Sequence, residues 1–114
     1  MDVWTPANIN PEPHRPLVLH SEEGVARIVA LNLPAGEELQ EHQVHEHAWL
    51  HIHSGAVETG IDGTVERVTA GSLVHWQPGE RHAVRAVDDA LLVLLLAPWP
   101  GVGHPNLRHA APGA

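Results

Sequence analysis

Five histidines fall within twelve residues of one stretch, Gly36 to Gly55 (GEELQEHQVHEHAWLHIHSG): His42, His45, His47, His51 and His53. A sixth, His82, closes a second glycine-led segment, GSLVHWQPGERH, forty residues after His42. Imidazole titrates near neutral pH and is the commonest protein ligand for divalent transition ions, so the two segments read as halves of one site. Other chemistry is scarce. Cysteine is absent, which excludes disulfides, thiolate metal sites and thiol catalysis. Tyrosine and phenylalanine are absent too, so no phenol can act as acid, base or redox group, and four tryptophans carry the aromatic packing. The hydroxyls, Thr5, Ser21, Ser54, Thr59, Thr64, Thr69 and Ser72, lie in no nucleophile elbow and beside no spaced His/Asp pair. The metalloprotease pattern H-E-x-x-H is broken because Trp49 stands where its second histidine belongs. Gly60 to Gly63 lacks the strand-to-helix context of a phosphate loop. Chemistry must come from His, Glu, Asp, Arg or a bound cofactor.

The elements that position these residues read as strands. Ala48, Leu50 and Ile52 alternate with Trp49, His51 and His53, and a period of two gives a strand with one apolar and one His/Trp face. If the apolar face lines the interior, His51 and His53 point outward with Trp49. Glu37 to His47 is ambiguous, because its helix formers follow Pro-Ala-Gly and local propensity permits a short helix; His47 and His51 would then share a face. Upstream, PLVLH, SEEG and VARIVALNL give a hairpin. Downstream, Ala56 to Ile61 and Thr64 to Thr69 flank the hairpin turn Asp62-Gly63, Ser72 to Trp76 is a short strand, and Gln77-Pro78-Gly79-Glu80 is a tight turn. His82 to Val87 puts His82, Val84 and Ala86 on one face, and ALLVLLLA is an apolar run buried on both faces. Seven to nine short strands punctuated by Gly, Pro and Asp predict an all-β barrel or sandwich.

The 114 residues fit one domain. Residues 1–16, with four prolines, read as an extended arm; 17–100 form the barrel; 101–114 form an irregular tail. Fourteen acidic residues against six arginines and no lysine leave a formal charge of -8, which argues against nucleic acid and against anionic membrane surfaces. No apolar block is long enough to span a bilayer and the N-terminus carries no basic-then-apolar leader, so a soluble cytoplasmic protein is expected.

The two glycine-to-histidine segments resemble the motifs of the cupin superfamily, roughly G(X)5HXH(X)3-4E(X)6G and G(X)5PXG(X)2H(X)3N. Gly36, His42 and Gly55 match the first frame, and Gly71, Gly79 and His82 the second. In strict register the second histidine of the first motif falls on Val44, its glutamate on Ala48, the proline of the second motif on Gln77 and its asparagine on Ala86. The resemblance covers residues 36–86 and implies a single conserved β-barrel, a double-stranded β-helix of jelly-roll type, and a homodimer. It also implies a divalent transition metal (Fe, Mn, Ni, Zn or Cu) bound by barrel histidines. Its ligands would be His42 and His82, joined by His47 or His45, with Glu46 as a further candidate because the 45–47 triplet sits where one loop residue more or less would turn a side chain inward.

The pocket expected around that ion is lined by Val44, Ala48, Leu50, Ile52, Leu73 or Val74, Trp76 and Val84, with His75 either packed inside or at the mouth. Arg81 and Arg85 have the opposite parity to His82 and face solvent or a partner. His14, His20, His104 and His109 have no partner pattern and read as solvated. The implied function is a metal-dependent oxygenase or isomerase of a small organic substrate. The alternatives are a non-catalytic module that captures a small molecule or metal, with the metal-free form of the same barrel as its limit, or a purely structural subunit of a larger assembly.

Overall fold

A computed structural model describes residues 1–42, 44–61 and 63–104, with the side chains of 40–42 and 61 outside that description. Nine strands and, among the described residues, no helix make up the fold: β1 (Leu17–Glu22), β2 (Ala26–Leu33), β3 (Glu38–His42), β4 (His47–Ser54), β5 (Ala56–Ile61), β6 (Thr64–Thr69), β7 (Leu73–Trp76), β8 (His82–Ala86) and β9 (Ala90–Ala97). They form a five-stranded sheet in the order β1-β2-β9-β4-β7 and a four-stranded sheet in the order β3-β8-β5-β6, every pairing antiparallel. The all-β expectation holds.

The helix that local propensity permits over 37–47 does not form. Backbone pairing decides: Glu38 pairs with Arg85, Leu39 with Val84 and His42 with His82, with an irregularity between Leu39 and His42. Ladder bonds and burial of Leu39 against the core override the intrinsic preference of the segment. β9 lies between β2 and β4, and its run is apolar on both faces because both are covered. Leu92 and Leu96 enter the core, while Leu91 and Val93 lie under the N-terminal arm with Trp4, Pro6 and Ile9. The hairpin turn at Asp62-Gly63 falls partly outside the described residues; Gly63 has φ 81°.

The two sheets meet over a core of Leu33, Ala48, Leu50, Ile52, Val57, Trp76, Val84, Ala86, Ala90, Leu92 and Leu96. Gly55, φ 82°, makes the turn from β4 to β5 hard against the Asp89 carbonyl, which a Cβ would strike. Gln77 to Glu80 has the Pro-Gly centre of a type II turn, with Gly79 at φ 83°. It is closed by a Glu80 N–H to Gln77 carbonyl bond of 3.1 Å and capped by Glu80 Oε1, which accepts from Gln77 N–H at 2.8 Å. That turn delivers His82 to the start of β8.

Facing is the testable consequence. Leu92→Ala, at a fully buried site, is expected to cost about 2–5 kcal/mol, whereas Val65→Ala, 63 % exposed on β6, should change stability by no more than about 0.5 kcal/mol. Urea unfolding of the two variants reads the difference directly, and equal costs would contradict the packing described here.

Candidate functional site

His82 is 3 % exposed and lies flat against Trp76, ring centroids 4.0 Å apart and 9° from parallel. Its Nδ1 is 3.2 Å from the Glu80 carbonyl oxygen. A carbonyl only accepts, so Nδ1 carries the hydrogen. Metal-binding histidines commonly have one ring nitrogen held by a carbonyl or carboxylate in this way. Across the β3–β8 ladder His42 is the residue directly opposite. The Gly79 N–H donates to the Val44 carbonyl at 2.9 Å, so the turn before His82 is tied to the segment following His42.

Val84, Ala48, Leu50, Ile52 and Trp76 lie together in the core, with Val44 and Val74 packed against them. His47 and His75 are placed elsewhere. Ala48 pairs with Trp76 and Trp49 with His75, so the histidines fall on the strand faces opposite the core. There they share a 2.9 Å hydrogen bond between His47 Nδ1 and His75 Nε2 and stack on Trp49 at 5.5 and 5.0 Å. His75 stands on an edge strand, where it also borders, with Trp76 and Val74, a cleft of about 250 Å³ against Thr59, Gly60, Thr64 and Glu66. Leu73, 64 % exposed, shares the outer face. His51 and His53 continue that face along β4, with ring centroids 6.2 Å apart.

His45 is exposed and Glu46 is buried completely. Its Oε2 accepts from the Gly101 N–H at 2.7 Å and from His104 Nδ1 at 2.8 Å. His104, read from sequence as solvated, is only 20 % exposed because the segment after β9 folds back over the β3–β4 connection. A contact across 58 residues leaves no local signal, and only the unusual HEH triplet pointed at Glu46. His14 and His20 are paired with Glu37 and Glu22 at 3.2 and 3.1 Å. Arg85 pairs with Glu58 on the outside of the second sheet at 3.1 Å. His109 lies outside the described residues. Among the described residues no three His, Asp or Glu side chains converge where an ion could sit.

The fold and the inward histidine on β8 define a small single-barrel protein of double-stranded β-helix type. The sequence model of the cupin domain family matches residues 29–98, more than half of the chain; the chain belongs to the cupin family. Among solved structures, a conserved protein of unknown function from Streptococcus pyogenes, SPY1581, is 26 % identical with a TM-score of 0.70, covering 83 % of this chain and 85 % of that one. An uncharacterised double-stranded β-helix protein from Klebsiella pneumoniae is 21 % identical, TM-score 0.73, covering 90 % and 92 %. The DMSP lyase DddQ from Ruegeria pomeroyi is 24 % identical, TM-score 0.63, covering 71 % of this chain and 44 % of that one. No curated protein matches at a significant level. No helix among the described residues is long and apolar enough to cross a membrane.

Removing the Glu46 carboxylate should leave the buried Gly101 N–H and the His104 ring without their acceptor. Glu46→Ala is therefore expected to lose about 1–3 kcal/mol and to speed amide exchange at Gly101, while Glu46→Gln, which keeps an acceptor oxygen, should lose less. Slow exchange in the alanine variant would mean that the carboxylate does not hold the segment.

Proposed function

We propose that this cupin holds one divalent transition metal in its barrel through His42 and His82 and accepts a small organic molecule beside it. The observation that carries this reading is His82: buried, stacked on Trp76, with Nδ1–H bonded to the Glu80 carbonyl, and opposite His42 in the ladder. The donor set fits imidazole-binding ions such as iron, manganese, nickel, zinc or copper. Remaining coordination positions fall to water and to the incoming molecule, since His47 faces outward and Glu46 is engaged by His104. A metal held there supplies Lewis-acid or redox chemistry, suited to isomerisation or oxygenation. The chain's own part is an apolar wall of Leu50, Ile52, Val57 and Val84 that excludes water from the bound molecule.

A binding module without turnover is the second reading, and one observation favours it. Beyond His82 the buried polar groups among the described residues are Thr59, whose hydroxyl donates to the Ala83 carbonyl at 2.9 Å, and Glu46. Neither is open to serve as acid or base. For assembly we propose a homodimer through the outer face of the five-stranded sheet, where Trp49 is half-buried and Leu73 exposed. A cytoplasmic location accords with the lack of cysteine.

Elemental analysis of untagged protein tests the central point. The parent should retain close to one equivalent of transition metal, and a folded His42→Ala/His82→Ala variant should retain none from this site. Equal metal in both, or none in the parent after reconstitution, overturns it. Light scattering of the parent should give twice the 12.3 kDa chain mass, and Leu73→Asp with Trp49→Asp should return it to one; a parent at single-chain mass contradicts the dimer.

A further inference from the structure

We propose a second metal site, outside the barrel, in which His45 and His104 bind a divalent zinc, copper or nickel ion and Glu46 orients His104 from behind. Glu46 is fully buried, and its Oε2 takes both the Gly101 N–H and the His104 Nδ1–H, while Oε1, also buried, has no partner among the described residues. A carboxylate in that position costs free energy unless a positive charge lies within reach. Among the described residues the imidazole hydrogen-bonded to it is His104, and the bond fixes which nitrogen does what: a carboxylate accepts, so Nδ1–H donates and Nε2 is the other ring nitrogen. Carboxylate, imidazole and ion in line is the arrangement by which metal-binding histidines are oriented and made more basic.

The second imidazole is in place. His45 lies edge-on to His104, ring centroids 5.6 Å apart at 64°. Two imidazoles bound to one ion at about 2.0–2.1 Å hold their ring centres roughly 5–6 Å apart. His45 is exposed, so its ring can turn a nitrogen to the shared point without disturbing the core. His104 is held more firmly, by Glu46 on one side and the edge of Trp99 at 4.8 Å on another. Trp99 is backed in turn by the Arg27 guanidinium, 5.2 Å from its ring centre. The approach is also built into the backbone: a Cβ on Gly101 would strike the His45 carbonyl, so only glycine lets the 98–104 segment lie this close. Two protein ligands leave the other positions to water, which makes the site exchangeable.

The site shares no ligand with the barrel interior, so its test is run where that interior cannot contribute. Untagged full-length protein carrying His42→Ala and His82→Ala is titrated with Zn²⁺ by calorimetry. The expected result is one equivalent that disappears with either His45→Ala or His104→Ala and survives His47→Ala/His75→Ala. Glu46→Gln, which keeps an acceptor for Gly101 and His104, should weaken it by about 10–100-fold. His45→Ala alters an exposed ring and leaves the buried clasp intact, so its result does not depend on the folding of the 98–104 segment. Zinc uptake unchanged by His45→Ala, unchanged by Glu46→Gln, or absent from the starting protein would show that Glu46 and His104 form a structural clasp only, and would overturn the proposal.

Discussion

The register of β4 between β9 and β7 decides which of the chain's histidines can meet. Its alternate residues Ala48, Leu50 and Ile52 are buried to 1 % exposure or less, and that fixes His47, Trp49, His51 and His53 on the other face. A slip of one residue would reverse every side chain. It would expose Leu50 and Ile52, at about 1.5–3 kcal/mol each, and bury imidazoles whose unpaired nitrogens cost about 1–3 kcal/mol apiece. Both penalties act in the same direction and together rival the whole stability of a small domain. The strand has one workable register, and four of the five clustered histidines follow from it or from the turn that precedes it.

The same constraint separates the histidines into three environments. His82 reaches the interior because β8 starts at a Pro-Gly turn and pairs with β3 opposite His42. His47 and His75 meet outside, across the β4–β7 ladder, and stack on Trp49. His45 sits in the connection before β4 and meets His104, brought back from the far end of β9. Nothing in the spacing of the HEH triplet distinguishes these fates. Each depends on which strand, sheet face or returning segment lies beside the residue.

Most of the barrel was legible in the sequence. Alternation in 48–53, the Gly and Asp-Gly punctuation, and the unbroken apolar run of 90–97 gave strands close to those found, because each reports burial on one or both faces of a sheet. β3 was not legible, since Glu37 to His42 carries helix formers and becomes a strand only through its partner β8. His104 looks solvated in the sequence because its acceptor lies 58 residues away. His75 shares a face with Leu73, as alternation required, but parity alone could not say that this face looks away from the core.

We propose that His82, set by Trp76 and the Glu80 carbonyl, shares one ion with His42. Anomalous diffraction at the metal's absorption edge, from crystals of protein purified without chelator, tests it most directly. A peak is expected between β3 and β8, about 2.0–2.2 Å from an imidazole nitrogen of His82 and one of His42. A barrel with no peak there, in crystals that carry metal only on the outer histidines, would contradict it.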